Sequence, residues 1–228
     1  MTVMTQDLLL LVLPYLSAED ATALFNMYLE SDVLESRDNG VQKRGYKILA
    51  RLIESGKVQV DAATVLKKLE GLVDGLAAAA KKDRIQLLAA LVPVIPQDAL
   101  HLIPSIIPEA VLGTKEPSEK ARNAAFDLIV AMGKKMASGG VVRRQMLEDM
   151  DEGGTGDGTS FLVSSLSLFM QLCYSLAAGN IEEYLTMVCG GLAGASAHMI
   201  SATITAVSRL VFEFKGTLPF HSTSDTVG

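Results

Sequence analysis

The sequence has few aromatic residues, no tryptophan, only two cysteines and no excess of positive charge. Of its 228 residues, 49% are hydrophobic but only 5% are aromatic, and the formal net charge is −6. An acidic chain is not the strongly basic protein that sequence-independent binding to nucleic-acid phosphates favours, so any such contact must be local. Aromatic and alternating β-type runs are scarce, and Ala, Leu, Val, Ile and Met supply most of the apolar content, which favours an all-α fold.

Motifs for catalysis, metal binding and cofactor binding are also lacking. There is no Gly-x-Ser-x-Gly elbow, no phosphate-binding loop ending in Gly-Lys-Ser/Thr and no dinucleotide fingerprint. The histidines and a loosely cation-loop-like acidic stretch lack ligand spacing, and the cysteines lie in apolar helix-like sequence typical of reduced, buried thiols. We therefore predict no catalytic, cofactor or metal site and no small-molecule substrate. The residues considered are His101, His198, His221, Asp149, Asp151, Glu152, Asp157, Cys173 and Cys189.

Two apolar stretches raise the question of membrane insertion. Asp7 stands where a signal peptide needs positive charge, so the N-terminal DLLLLVLPYL is interpreted as a core helix. Residues 184–208 contain no charged side chain, but the glycines between 190 and 194, followed by Ser196 as an N-cap, divide this run into two helices. We therefore predict no membrane span. The second helix is predicted to bury a stripe formed by Ile200, Ile204, Val207, Val211 and Phe214.

Helix start and stop signals recur at regular intervals and divide the remaining chain into helices. Ser17 with Asp20 is an N-cap signal, Gly56 is a stop signal, and Asp61 is predicted to cap a helix over 62–80. Helix pairs recur about every 35–45 residues, the spacing typical of HEAT or armadillo hairpins. The sequence therefore predicts an α-solenoid of HEAT/armadillo-like helical hairpin repeats, with a compact helical bundle as the alternative. One of the clearest apolar faces contains Ala121, Ala125, Leu128 and Met132.

One segment departs from this pattern. Residues 138–160 are rich in Gly and Asp and offer little to bury, so we predict a flexible loop there, with room for one short helix near 141–150. The predicted organisation is helical-hairpin repeats over 1–137, this loop over 138–160, further helical repeats over 161–216 and a C-terminal tail or edge over 217–228.

Basic residues recur on the predicted helices. Lys43, Lys47 and Arg51 are spaced i, i+4, i+8 on one helix. Because equivalent helices of a solenoid line up, such clusters could form a basic ridge that binds RNA phosphates or an acidic protein surface. An ordinary solvated helix face is the alternative, and scarce aromatic residues weaken the case for single-stranded RNA. The candidate RNA- or partner-binding residues are Lys43, Arg44, Lys47, Arg51, Lys81, Lys82, Arg84, Lys120 and Arg122.

Two segments resemble a known family. They are TKEPSEKARNAAFDLIVAMGKKM at 114–136 and IEEYLTMVCGGLAGASAHMISATITAVSRLVFEFKG at 181–216, and VQKRGYKILARLIE at 41–54 fits the repeat before them. They resemble helices of the family of ribosomal RNA-processing protein twelve, eukaryotic HEAT-repeat ribosome-biogenesis factors. The chain departs from the family at Ala197, where a helix-opening proline is usual, and in its last residues. Family members are much longer, so the chain is interpreted as a fragment.

The resemblance implies a non-catalytic scaffold of the nucleus and nucleolus that shuttles to the cytoplasm. It implies action in pre-ribosomal RNA processing and in small-subunit precursor assembly and export. The expected partners are pre-ribosomal proteins, pre-ribosomal RNA and the Ran export machinery, with no membrane partner. Two other classes stay open: another binding solenoid, such as a nuclear transport receptor or a phosphatase or tubulin scaffold, and an enzyme with an unrecognised site near His198 or the acidic loop.

Overall fold

A computed structural model describes residues 2–151, 181–193 and 196–214. Within these residues every regular element is a helix, with short 3₁₀ turns at Leu13–Tyr15, Asp32–Glu35, Val92–Val94, Gln97–Leu102 and Gly190–Ala193. The α-helices are α1 (Val3–Val12), α2 (Ala18–Glu30), α3 (Asn39–Glu54), α4 (Ala62–Glu70), α5 (Lys81–Leu91), α6 (Ile103–Gly113), α7 (Glu119–Asp151), α8 (Ile181–Cys189) and α9 (Ala197–Glu213).

Helices α3, α5 and α7 lie side by side and form the central layer of the fold. Helices α1 and α2 pack on α3, whereas α6, α8 and α9 pack on α7 and on one another. Each hairpin therefore contacts mainly its neighbours along the chain, as in helical-repeat proteins. The core runs continuously through these layers, from Tyr46 and Leu49 through Leu87 and Leu91 to Leu128. The predicted all-α solenoid of HEAT/armadillo-like hairpins is confirmed.

Polar side chains at the helix starts explain where the helices begin. Ser17 accepts a hydrogen bond from the Asp20 backbone N–H at 3.0 Å, as predicted from its spacing. Asp61 caps α4 in the same way by accepting from the Ala63 N–H at 3.1 Å. At the other end of α3, Gly56 has a φ of 66°, a left-handed conformation that favours glycine and stops the helix.

The cap at Ser17 gives a first testable prediction. Ser17→Ala removes the acceptor for a backbone N–H that has no partner inside α2, so we expect the free energy of unfolding to fall by about 1 kcal/mol. Urea unfolding followed by circular dichroism measures this change. An unchanged midpoint would show that water replaces the serine oxygen at no cost.

One predicted helix end is wrong, and one helix is longer than predicted. The helix capped by Asp61 ends at Glu70 rather than Ala80, because Gly71 and Gly75 disfavour helix and residues 71–80 form turns instead. Residues 138–151 continue α7 as helix, which includes the stretch near 141–150 where a short helix was predicted. The stretch contains no proline, and its Gly139–Gly140 pair costs only about 1 kcal/mol per glycine relative to alanine.

The remaining parts of the predicted organisation are only partly covered by the structure. The predicted loop residues 152–160, the helix predicted over 160–178, Cys173 and the predicted tail over 217–228 lie outside the described residues. The predicted division of the chain at 137/138 and at 160/161 therefore stays a prediction. Cys189, predicted to be a buried thiol, is a half-buried free cysteine at the end of α8.

The charge-free run divides into two helices, but the predicted stripe of the second is only half-buried, and its most buried residues lie on a neighbouring face. Helix α8 and a 3₁₀ turn precede α9, and Ser196 occupies the N-cap position of α9 without a side-chain cap bond. The residues that α9 buries are Ala202, Thr203, Ala206 and Leu210, while Ile204 is exposed. Gly191 lies so close to the side chain of Thr203 that a Cβ atom at position 191 would have no room, which brings the Thr203 side of α9 inward. None of the described helices is both long and apolar enough to cross a membrane.

Candidate partner-binding surface

Helix α1 is fixed against α3 by polar contacts of two adjacent side chains, Gln6 and Asp7. Buried Gln6 donates from Nε2 to the Val41 carbonyl at 3.2 Å. Arg44 pairs with Asp7 through Nε at 2.6 Å and Nη2 at 2.9 Å. The hydrogen bond from Arg44 lowers the pKa of Asp7, so the contact is complete above the unfolded-state pKa and is lost as pH falls through the lowered value. Arg44 is thus half-buried and engaged within the fold.

The other cations of α3 face solvent beside this contact. Lys43 and Lys47 are exposed, and Arg51 keeps 62% of its side chain exposed although its Nη1 contacts Glu54 at 2.9 Å. An exposed pair such as Arg51–Glu54 contributes about 0–1 kcal/mol and is easily exchanged for another partner. The spacing i, i+4, i+8 therefore places three exposed cations on one face of α3, and binding at this face stays a prediction.

The clusters on α5 and α7 are mostly engaged within the fold. Lys81 pairs with Glu116 at 2.6 Å, and Arg122 donates from Nη1 to the Glu116 and Pro117 carbonyls at 2.9 Å each. Lys82 is half-buried and Lys120 is exposed, and neither forms an ion pair within the part of the chain that the structure describes. The candidate cations are therefore exposed on α3, whereas several of those on α5 and α7 already contact other groups of the protein.

Arg84 is not available for binding, contrary to the prediction. Its side chain is only 2% exposed and pairs with Glu109 of α6 through Nε at 2.6 Å and Nη2 at 3.0 Å. Its guanidinium also lies 5.9 Å from the ring centroid of Tyr46. Burial alone would lower the pKa of Arg84, but the hydrogen bond and charge of Glu109 raise it, so the guanidinium stays charged. Arg84 joins α5 to α6 and is part of the structure rather than of a surface.

An apolar surface beside the α3 cations was not predicted. Leu8, Leu11 and Tyr15 are exposed on the outer side of α1 and the turn after it. Leu10, Leu11, Leu13 and Pro14 form one wall of a groove of about 580 Å³ whose other wall is formed by Lys47, Arg51, Glu54 and Ser55 of α3. The sequence does not indicate this surface because residues 8–13 are apolar at every position, so the pattern does not show which side of α1 faces solvent. We call this feature the α1–α3 groove.

The described histidines do not form a site. His101 and His198 are exposed, and His221 lies outside the described residues. The part of the chain that the structure describes contains no group of three or more His, Cys, Asp or Glu side chains placed to hold a metal ion.

Comparison with known proteins finds relatives along almost the whole chain. It is 31% identical over 217 residues to ribosomal RNA-processing protein 12 of Saccharomyces cerevisiae, which covers 93% of this chain and 16% of the relative. It is 28% identical to the human RRP12-like protein over 90% of the chain, and 26% identical to that of Gallus gallus over 92%, in each case 14% of the relative. The chain therefore spans about one sixth or less of the length of these relatives. No family model matches it.

Proposed function

The chain is homologous to a segment of the family of ribosomal RNA-processing protein 12, and we propose that it acts in ribosome biogenesis by binding pre-ribosomal particles. The observation that carries the proposal is the alignment of nine tenths of the chain with proteins named for ribosomal RNA processing. The α-solenoid supports the proposal because such folds offer extended surfaces for binding and position partners along their length. Within this role the chain is a scaffold segment, located in the nucleus and nucleolus.

The exposed α3 cations are the contact that we propose for this role. Lys43, Lys47 and Arg51 point away from the core, whereas most cations on α5 and α7 are engaged by Glu116, Glu109 or backbone carbonyls. Cations without a fixed partner gain more from an incoming phosphate or carboxylate than cations that must first break a pair. The pre-ribosomal particle offers both acceptors, as RNA phosphates and as acidic protein side chains. Small-subunit precursor export with Ran belongs to the same proposal.

Charge reversal on α3 tests this contact. We expect Lys43→Glu/Lys47→Glu to weaken co-sedimentation of the natural protein with pre-ribosomal particles about tenfold, because two attractive charges become repulsive. Both side chains are exposed, so the free energy of unfolding should stay within about 0.5 kcal/mol of the original value. The measurement is a salt-dependent sucrose-gradient sedimentation assay with quantitative immunodetection.

A matched variant controls for net charge. Lys67→Glu/Lys134→Glu makes the same change in net charge at exposed positions on α4 and α7, where Lys134 makes only a solvent-accessible pair with Glu213 at 3.6 Å. We expect this variant to co-sediment like the original protein. Equal losses in both variants would show a nonspecific charge effect, and no loss in either would remove the α3 cations from the proposal.

A further inference from the structure

The exposed side of α1 carries an apolar stripe of helical periodicity. Met4, Leu8, Leu11 and Tyr15 follow at i, i+4, i+7 and i+11, which places them on one face of the helix and its following turn. Leu8 is 56% exposed, Leu11 71% and Tyr15 86%. The opposite face of α1 buries Gln6, whose hydrogen bond to Val41 fixes the rotation of the helix. The stripe is thus held outward by the fold.

The α3 wall of the groove, which contains Lys47 and Arg51, lies beside the stripe. Leu11 belongs both to the stripe and to the α1–α3 groove, where Lys47 and Arg51 stand across from it. The carboxylate of Glu54 is paired with Arg51 and that of Asp7 with Arg44. The groove lining thus holds two cations, Lys47 and Arg51, and one carboxylate, so an incoming ligand meets aliphatic side chains on one side and a net positive charge on the other.

We propose that the α1–α3 groove is the docking site for an amphipathic α-helix of another protein. Its aliphatic side chains would cover Leu8 and Leu11, and carboxylates on its flank would pair with Lys47 and Arg51. A helix fits because an apolar stripe at i, i+4, i+7 matches the ridge of a second helix, as in groove-binding peptides. The assignment of this partner to a pre-ribosomal particle rests on the proposed function. The match between the groove and an acidic amphipathic helix is independent of it.

Other occupants fit this surface less well. A second copy of the chain would bring the same cations against Lys47 and Arg51, and like charges repel. RNA would use the cations but leave Leu8 and Leu11 uncovered, and Tyr15 is the one aromatic side chain in α1 and its following turn that could stack on a base. A lipid surface is flat, whereas this site is a groove whose charged wall lies on one side of the stripe. Apolar and cationic walls that face each other favour an acidic helix.

Site-specific photo-crosslinking tests the proposal in the natural full-length protein. Leu11 is replaced by p-benzoylphenylalanine, cells are irradiated, and the crosslinked products are purified and mapped to residues by mass spectrometry. We expect one protein segment with aliphatic residues at helical spacing and Asp or Glu on its flank. In the background of Lys47→Glu/Arg51→Glu we expect the yield of that product to fall about tenfold.

The control position is Met27 on α2, an exposed large apolar residue that does not line the groove. Its crosslinks should be unaffected by Lys47→Glu/Arg51→Glu. Crosslinks from Leu11 to RNA, to lipid, to a second copy or to another part of the same chain would overturn the proposal, as would the absence of any product. If the natural protein does not co-sediment with pre-ribosomal particles while Leu11 still crosslinks to an acidic helix, only the proposed function is contradicted.

Discussion

Replacing Glu109 by Gln will lower the free energy of unfolding by about 3 kcal/mol, because the guanidinium of Arg84 is then left buried without an opposing charge. Arg84 is 2% exposed and makes both of its ion-pair contacts to the two carboxylate oxygens of Glu109, at 2.6 and 3.0 Å. The value lies at the lower end for broken buried pairs because Glu109 is 28% exposed, so water can approach the site. Equilibrium urea unfolding monitored by circular dichroism measures the loss.

Glu116→Gln is the matched control for this experiment. It makes the same change of side chain and breaks the Lys81–Glu116 pair in the same region, but Lys81 is 38% exposed. We expect a loss of less than about 1 kcal/mol, as for other solvent-accessible pairs. A further variant, Arg84→Met/Glu109→Leu, removes both charges and should be more stable than Glu109→Gln. Equal stability of Glu109→Gln and the original protein would contradict the structural role of Arg84.

Replacing Gln42 by Met will lower the free energy of unfolding by about 2–3 kcal/mol while keeping the side-chain volume nearly constant. The buried amide of Gln42 donates to the Leu34 carbonyl at 2.9 Å and to the Gly75 carbonyl at 3.0 Å, and accepts from the Ala77 N–H at 2.9 Å. Met leaves these three backbone groups without their partner. Water can reach Gly75 but not the Leu34 carbonyl, so only part of the loss is recovered.

Hydrogen exchange separates this effect from a general loss of stability. Because Gln42 is the contact that holds the turns at 71–80 against α3, exchange should rise most at Ala77 and its neighbours. Gln86→Met, on the exposed side of α5, is the control and should leave stability and exchange unchanged. Uniformly faster exchange along the chain, with no excess at 71–80, would contradict the role of Gln42 in holding these turns against α3.

The sequence predicts a helix face well where large and small apolar residues share one side. In α7, Ala121, Ala125, Leu128 and Met132 are all buried, as their spacing predicts. In α9 the large aliphatic residues predicted a face that is only half-buried, because the contact between Gly191 and Thr203 turns a neighbouring face inward. Residue size cannot reveal such a choice without knowledge of the distance between the two helices.

Two polar residues, Arg84 and Gln42, lie within apolar helix stripes, and this position indicates a structural role. Arg84 stands at i−3, i−4 and i−7 from Leu87, Leu88 and Leu91, which places it in the apolar stripe of α5. Gln42 stands at i−4 and i−7 from Tyr46 and Leu49, in the apolar stripe of α3. A polar side chain in a buried stripe needs a partner inside the fold, and here the partners come from distant segments that the sequence does not identify.

The α1–α3 groove could not be predicted for a different reason. Residues 8–13 are apolar at every position, so hydrophobic periodicity does not say which side of α1 faces α3. The choice is made by Gln6 and Asp7, through their contacts with Val41 and Arg44. Those contacts join residues more than 30 positions apart and exist only once the hairpins have stacked.

Binding to pre-ribosomal particles can be tested by purifying the natural full-length protein from cells after mild crosslinking and identifying its partners by mass spectrometry and RNA sequencing. We expect enrichment of pre-ribosomal RNA and small-subunit assembly proteins, with crosslinks that map to α1 and α3. Enrichment of transport cargo, phosphatase subunits or tubulin, without pre-ribosomal RNA, would contradict it.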